Sequence, residues 1–304
     1  MMNNFIFENK TKVYFGKGGV KEYLGGLLAN FGETVMLAYG GGSIKCNGVY
    51  DEIMGILNAQ GKCVVEFSGI MSNPTYAKVQ DGAKLARENH VDLILAVGGG
   101  SVSDCCKVIS GAFDTLSHAM ETYFGKPDEN NLSDDINEAV MRSVIRSIRI
   151  LLTDPENYDA RSELARASAM AENGVLKIGK VTDFQAHQIQ HQLGAYTDCN
   201  HGAGLAVIHP VLYRHIYKSG TARFTRWAQN VWGIAPKGSD GETAAGIDAL
   251  AAFIKEIGLP TSFAELGIPA DTDFRAIADS TNVTAGCCKK LTHDEIYEIL
   301  QECL

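Results

Sequence analysis

The sequence predicts a protein of two parts, an α/β domain over residues 1–110 and an all-α domain over residues 111–304. In the first part, short apolar runs alternate with longer amphipathic segments, which is the pattern of a parallel sheet built from βαβ units. After residue 110 only helical periods remain. The length of 304 residues also suits two domains, since a domain typically has about 100–200 residues.

The elements of the α/β part follow one another in a regular order. Strands are predicted at residues 13–15, 34–39, 62–67 and 92–97, the last of them buried. Helices are predicted around residues 24–28 and at 43–58, 76–89 and 101–110. The apolar strands are short and the helices between them are longer, which favours parallel over antiparallel pairing.

The second part contains helices only, and no strand is predicted between Gly111 and Leu304. The helices are predicted at residues 113–123, 136–152, 160–172, 184–196, 203–216, 222–231, 243–257 and 293–303. Asp294 and Glu295 stand in the first turn of the last helix, where the helix dipole favours acidic side chains.

Composition excludes several classes of protein. The net charge of -9 and the absence of a basic run argue against a nucleic-acid partner. The start of the chain shows no secretory signal, and no apolar stretch approaches the roughly 18 residues of a membrane helix. The eight cysteines include no CxxC pair. We therefore expect a cytoplasmic protein with free thiols.

Two glycine triplets each follow a predicted strand and open a predicted helix, at Gly40–Gly42 and Gly98–Gly100. Glycine lets the backbone approach a phosphate closely, and the N-terminal N–H groups of a helix can then bind it. Ligands of parallel sheets bind at the carboxyl ends of the strands. The loops therefore indicate a dinucleotide site, although neither is a GxGxxG motif and a tight turn is the alternative for each.

The residues after the first triplet suggest a cofactor preference. An acidic residue there would hold the ribose 2′-hydroxyl of NAD, and the stretch Gly40–Lys45 contains none. Ser43 and Lys45 could instead bind a 2′-phosphate. We therefore expect NADP(H) over NAD(H), with a solvated Lys45 as the alternative.

Histidine and aspartate form a candidate metal site in the helical part. Asp114 and His118 are four residues apart in one predicted helix, His187 and His191 are four apart in another, and His201 follows soon after. Side chains four apart share a helix face, with Cβ atoms about 5–6 Å from each other. The mixed nitrogen and oxygen donors suit iron(II), zinc, manganese or nickel. Ordinary surface hydrogen bonds are the alternative for each pair.

Several ordered motifs together resemble the iron-containing (group III) alcohol dehydrogenases nearly end to end. They are Phe15-Gly16-Lys17-Gly18, Asn73-Pro74-Thr75, Gly98-Gly99-Gly100-Ser101-Val102-Ser103-Asp104, Asp114-Thr115-Leu116-Ser117-His118, and His187-Gln188-Ile189-Gln190-His191 with His201-Gly202. The run Tyr39–Lys45 is similar to that of the NADP-dependent butanol dehydrogenase branch. The resemblance implies a Rossmann-like cofactor domain and a helical metal domain, the architecture of dehydroquinate synthase.

The same resemblance implies roles for individual residues. The metal, with iron(II) expected first, would be bound by Asp114, His118, His187 and His201. His191 would stand beside the substrate and help proton movement. The dinucleotide would contact Asn73, Gly98, Gly99, Gly100, Ser101 and Asp104, with Gly40, Gly41 and Ser43 at its adenosine end. The implied activity is hydride transfer between nicotinamide and a short-to-medium-chain primary alcohol or aldehyde, such as butanol or butanal, in a homodimer.

The sequence departs from the family at one point. Between residues 110 and 111 the family has a block on the order of 80 residues, about half a typical domain, with further strands and a loop around the nicotinamide. We expect the natural protein to contain this block, because one helix running from residue 101 into residue 124 would draw Asp114 out of the active-site cleft.

Two alternatives to this function stay open. A polyol-oxidising enzyme of the glycerol dehydrogenase type has the same architecture and a divalent metal. A true loss of the block would instead favour a catalytically inactive metal-binding paralogue. A mass well above 32.8 kDa would exclude the inactive paralogue.

Overall fold

The computed structural model describes residues 12–14, 16–70, 76–98, 105–126, 130–182, 184–235, 240–283 and 288–304. These residues form two compact units. The sheet unit lies within Lys10–Asp104, and the helical unit within Cys105–Leu304. The division follows Asp104, whereas the sequence predicted a boundary at residue 110.

The sheet unit confirms the predicted parallel sheet. Its strands are β1 (Thr34–Tyr39), β2 (Cys63–Phe67) and β3 (Leu93–Val97), in the order β2-β1-β3. Both neighbours pair with β1 in parallel. The helices are α1 (Gly19–Leu28), α2 (Ser43–Cys46), α3 (Val49–Ala59) and α4 (Tyr76–Glu88).

The core of the sheet unit lies along β1. This strand is buried on both faces, as a central strand of a parallel sheet should be. Leu28, Ile53 and Leu57 pack against it. The prediction that the strand at residues 92–97 is buried was wrong. This strand, β3, forms an edge of the described sheet, and its Ile94 is 60% exposed.

One local prediction in the sheet unit also failed. The helix predicted over residues 43–58 is broken into α2 and α3, because Gly48 has φ of 80° and cannot continue a right-handed helix. A strand was predicted at residues 13–15; the described residues 12–14 form none, and Phe15 lies outside the described residues.

The helical unit contains α5 (Cys105–Tyr123), α6 (Leu132–Thr153), α7 (Tyr158–Glu172), α8 (Gln185–Thr197), α9 (His201–Ile216), α10 (Thr221–Trp232), α11 (Asp240–Glu256), α12 (Phe274–Ser280) and α13 (His293–Glu302). Its described residues form no strand, only an isolated bridge between Lys126 and Val181. The predicted all-α character is confirmed. The sequence analysis missed α12, although Asp273 accepts a hydrogen bond from Ala276 N as an N-cap should. No helix in the described part of the chain is long and apolar enough to cross a membrane.

Helix α5 is continuous where the sequence predicted two helices separated near residue 110. Gly111 lies inside it, and a single helical glycine costs only about 1 kcal/mol relative to alanine. The helix contacts α6, α7 and α9, and Phe113 and Leu116 are fully buried on its inner face. This packing outweighs the weak local preference of one glycine.

A buried ion cluster ties together three segments of the helical unit. Asp134, in the first turn of α6, contacts Lys180 and lies 2.7 Å from Arg223 of α10. The side chains of Asp134 and Lys180 are fully buried. Buried charges of this kind depend on their partners, since an uncompensated one is costly.

Removing the carboxylate of this cluster should destabilise the helical unit strongly. We expect Asp134→Ala to lower the free energy of unfolding by about 3–5 kcal/mol, because Lys180 and Arg223 would lose a buried counter-charge. The matched control is Asp135→Ala, whose side chain is 64% exposed and whose loss should cost less than about 1 kcal/mol. Urea unfolding followed by circular dichroism compares the two, and equal losses would contradict the role given to burial.

Candidate metal centre and cofactor loops

Three helices bring four donor side chains together. Asp114 and His118 stand one turn apart on α5, His187 lies in the first turn of α8, and His201 is the first residue of α9. Asn200 fixes the start of α9, because its side chain accepts a hydrogen bond from Ala203 N.

The donor atoms of these four residues face one another. Asp114 Oδ1 lies 3.3 Å from His187 Nε2, 3.4 Å from His201 Nε2 and 3.6 Å from His118 Nε2. The Nε2 atoms of His118 and His187 are 3.0 Å apart. Asp114, His187 and His201 form the tightest group, with donor atoms within 4.8 Å of one another.

This arrangement fits a divalent metal ion. Donors bonded to an ion at about 2.0–2.1 Å with tetrahedral angles lie roughly 3.4 Å apart, close to the separations around Asp114. Three imidazoles and one carboxylate are also a donor set that iron(II) and zinc accept. Helix α5 is continuous, and Asp114 lies beside the three histidines within the helical unit.

Two polar side chains orient the imidazoles from behind, and the sequence analysis missed both. Glu121 of α5 contacts His187 Nδ1, and Gln190 of α8 contacts His201 Nδ1. Each contact leaves the Nε2 atom of its histidine free to face the centre. A helical pattern could have revealed them, since Glu121 is three residues after His118 and Gln190 three after His187.

The charges of the centre depend strongly on one another. Burial alone would raise the pKa of Asp114, but hydrogen bonds from His187 and His201 hold it well below its usual range. Burial opposes the charged form of His187, yet contacts with Asp114 and Glu121 raise its pKa to about 9. Burial and the charge of His187 lower the pKa of His118 to about 4. A proton and a metal ion would thus compete for His187 Nε2.

His191 lies next to this group but is more exposed. Its ring stacks on that of His201, with centroids 5.4 Å apart, and lies 6.0 Å from the ring of His187. Partial burial and the neighbouring histidines lower its pKa. His191 is thus a neighbour of two of the four donors, and its role beside the substrate stays a prediction.

Glu172 and Cys199 are two further residues near the centre. Glu172, the last residue of α7, was missed; its Oε1 atom lies 2.9 Å from His118 Nε2 and its side chain is 51% exposed. Cys199 is buried, and burial raises the pKa of its thiol. A thiol with a raised pKa is a poor nucleophile.

The first glycines of the two triplets follow neighbouring strands of the sheet. Tyr39 of β1 is in register with Val97 of β3, so Gly40 and Gly98 leave neighbouring strands side by side. No described heavy atom lies within 4 Å of the position that a Cβ would take at Gly41 or Gly98. Such open backbone suits a phosphate-bearing ligand. The remaining predicted cofactor residues, Asn73, Gly99, Gly100, Ser101 and Asp104, lie outside the described residues.

The first loop differs from the prediction in its helix. Ser43 opens the single turn α2 rather than a long helix, so the helix-dipole argument does not apply there. Lys45 of α2 lies 3.6 Å from Glu66, whose carboxylate accepts hydrogen bonds from the hydroxyls of Tyr39 and Tyr50 at 2.5 and 2.6 Å. These hydrogen bonds lower the pKa of Glu66. Glu66 lies on β2, 21 residues after Lys45 in the chain, so no local sequence pattern connects the two residues.

The chain combines a parallel sheet, whose strands β1 and β3 are followed by glycines, with a helical unit that bears one carboxylate and three imidazoles. Together these features define the class of metal- and dinucleotide-dependent oxidoreductases. Residues 10–140 match the family described as iron-containing alcohol dehydrogenase, and residues 108–304 match its C-terminal part. The chain belongs to the iron-containing alcohol dehydrogenase family.

Individual relatives agree with this assignment. The chain is 31% identical to the probable NADH-dependent butanol dehydrogenase 2 of Bacillus subtilis, with all of both chains covered. It is 26% identical to the NADPH-dependent aldehyde reductase YqhD of Escherichia coli, over 88% of this chain and 90% of the relative. The crystal structure of NADH-dependent butanol dehydrogenase A from Thermotoga maritima superposes with a TM-score of 0.91 at 27% identity, covering 99% of each chain.

The comparison with the Bacillus protein also bears on the missing block. The alignment runs over 392 positions and covers all 304 residues of this chain. At least 88 aligned positions, the difference between the two numbers, therefore have no counterpart here. This agrees in size with the block of on the order of 80 residues, about half a typical domain, that the resemblance implied.

The only carboxylate among the four proposed donors should be essential for metal retention. We expect Asp114→Asn to weaken metal binding by more than about 100-fold, beyond the usual effect of changing an outer contact, because the amide removes the negative charge. Asp198→Asn is the matched control, since Asp198 is exposed at the end of α8. Equilibrium dialysis against a buffered zinc series gives both dissociation constants, and equal values would contradict the assignment of Asp114.

Proposed function

We propose that this protein is a metal-dependent, NADP(H)-linked alcohol dehydrogenase and aldehyde reductase. The observation that carries the proposal is the convergence of Asp114 Oδ1 with the Nε2 atoms of His118, His187 and His201 at 3.3–3.6 Å. Membership of the iron-containing alcohol dehydrogenase family supports the reaction class. Iron(II) is the proposed ion, with zinc, nickel and manganese as alternatives.

The proposed chemistry divides between the metal and the protein. A divalent ion in such a site supplies Lewis acidity, which polarises a carbonyl for reduction or acidifies an alcohol for oxidation. Asp114 offsets part of the positive charge, and Glu121 and Gln190 hold His187 and His201 in orientation. His191 exchanges the proton with the substrate oxygen; its lowered pKa keeps the imidazole neutral and able to accept a proton near pH 7.

The proposed substrates are short-to-medium-chain primary alcohols and aldehydes such as butanol and butanal. The names of the Bacillus and Thermotoga relatives support this range. Oxidation of a polyol, as in glycerol dehydrogenases, is the alternative. The exposed carboxylate of Glu172 beside His118 favours that alternative to some degree, because it could accept a hydrogen bond from a second hydroxyl group.

The proposed preference for NADP(H) rests on Ser43 and Lys45. The relatives named above include enzymes dependent on NADH and on NADPH, so the family itself allows both. Glu66 partly neutralises Lys45, but the side chain of Lys45 is 49% exposed and their contact is long, at 3.6 Å. Exposed ion pairs contribute little to stability, so Lys45 could exchange Glu66 for the more highly charged 2′-phosphate.

The central test is metal-dependent oxidation of NADPH by butanal. Protein reconstituted anaerobically with iron(II) should oxidise NADPH when butanal is added, and a chelator in excess should reduce the rate to the background, because Lewis acidity would be lost. His191→Asn in the same assay should lower kcat by about 10²–10⁴-fold, the usual contribution of general acid–base catalysis. Absence of turnover with every divalent metal, despite stoichiometric metal content, would contradict the proposal.

The cofactor preference has its own test. We expect Lys45→Ala to lower kcat/KM for NADPH by roughly 10-fold, the effect of losing one charge-assisted phosphate contact, and to leave the value for NADH nearly unchanged. Lys62→Ala is the control, because the Lys62 ammonium binds the carbonyls of Phe31 and Gly32 next to the start of β1. A parallel loss for both cofactors would show that Lys45 does not contact the 2′-phosphate.

One observation favours a second candidate, a catalytically inactive metal-binding paralogue. At least 88 positions of the Bacillus relative have no counterpart in this chain, and Ile94 of the edge strand β3 is 60% exposed. Metal binding without turnover of NADPH or NADH would support this candidate. We also propose a homodimer, as the resemblance implied, and a cytoplasmic location, as the composition predicted. Sedimentation velocity tests the dimer.

A further inference from the structure

Glu121 is a buried carboxylate at the metal centre that does not belong to the proposed donor set. Glu121 lies on α5, three residues after His118, and is 4% exposed. One oxygen contacts His187 Nδ1, and the other accepts a hydrogen bond of 2.6 Å from Ala186 N. A single carboxylate thus holds two consecutive residues at the start of α8.

The start of α8 needs such a partner. The first N–H groups of a helix have no acceptor within the helix, and a side chain before the first turn usually provides one. At α8 that position is held by Phe184, which makes no capping hydrogen bond. Glu121 therefore supplies a cap from another helix, and its negative charge suits the N-terminal end of the helix dipole.

The same carboxylate determines how His187 presents its ring. An acceptor at Nδ1 keeps the proton on that atom and directs the Nε2 lone pair toward the centre. The other histidines differ in this respect. His201 has the neutral amide of Gln190 at Nδ1, and His118 Nδ1 has no hydrogen-bond partner among the described residues.

We propose that Glu121 is a positioning residue that joins metal binding to the docking of α8 on α5. It fixes the tautomer of His187, strengthens its Nε2 atom as a donor, and holds the first turn of α8 so that His187 meets Asp114. This inference rests on the proposed metal site, and it adds a residue that acts through a donor without being one.

The test is Glu121→Gln with metal affinity as the readout. Glutamine has a similar shape but only one acceptor oxygen, so it cannot accept a hydrogen bond from both Ala186 N and His187 Nδ1 as the two carboxylate oxygens do. If its NH2 group faces His187 Nδ1, it favours the opposite tautomer of the ring. We expect the dissociation constant for cobalt(II), measured by competition with a chelator at fixed pH, to rise about 10–100-fold. Glu163→Gln is the matched control, because Glu163 is a partly exposed residue of α7 that pairs with Arg166.

A second readout separates positioning from capping alone. In the cobalt(II) protein, the Nδ1 protons of His187 and His201 should each give an exchangeable, strongly shifted proton NMR signal. Glu121→Gln should shift the His187 signal and leave the His201 signal unchanged. Gln190→Leu should shift the His201 signal and leave the His187 signal unchanged.

The wild-type protein provides a further test if Glu121→Gln fails to fold. The Nδ1 proton of His187 should exchange with D₂O more slowly than that of His201, because His201 is more exposed.

Each outcome has a distinct meaning. An affinity within about twofold of the wild type, well below the usual effect of an outer contact, would overturn the inference, as would an unmoved His187 signal. If the wild type itself does not bind cobalt(II), zinc or iron(II), the proposed metal site fails and the inference fails with it. Tight binding by the wild type with unchanged binding by Glu121→Gln would remove the inference alone.

Discussion

The interaction on which the helical unit depends is the meeting of Asp114 with three imidazoles. A carboxylate oxygen and ring nitrogens within 3.3–3.6 Å of each other are stable only when a proton or a cation lies between them. His187 can meet this need with a proton, since its contacts raise its pKa to about 9. A divalent ion would meet it for all four residues at once, and the packed helices of this unit hold the four side chains where such an ion would bind.

The helices hold these donors at fixed distances because they are packed in the apolar core of the helical unit. Leu116, Ile189 and Leu205, one from each of the three helices, are fully buried in that core. Ser117 of α5 and His209 of α9 form a buried hydrogen bond of 2.6 Å, which fixes the register of these two helices. A close-packed interior resists small shifts, and a metal site needs this stiffness because its donors tolerate only small errors in distance.

The sheet unit has a different organisation. Its core follows one central strand, and Gly40 and Gly98 leave β1 and β3 side by side at the carboxyl ends of the strands. Ile94 of the edge strand β3 is exposed. This exposure is unusual, because apolar strands of parallel sheets are normally covered on both faces. The exposure agrees with the loss of at least 88 aligned positions relative to the Bacillus enzyme, since the resemblance assigns further strands to the missing block.

The sequence alone determined most of the long helices of the second unit, because long amphipathic periods specify a helix locally; the short helix α12 lacks such a period and was missed. It also determined the pairs Asp114 with His118 and His187 with His191, since spacing by four residues is a property of any helix. Local patterns were insufficient at Gly48, where one left-handed glycine divides a helix, and at Gly111, where packing carries α5 through a position predicted as a boundary.

Only the tertiary structure decided which side chains meet. Glu121 and Gln190 belong to the site through contacts across helices, and Glu66 reaches Lys45 from a different strand. The sequence could not predict these contacts, because they depend on the angle and register between elements that are distant along the chain. A sequence pattern specifies the face of a helix, but packing of the whole unit decides what that face meets.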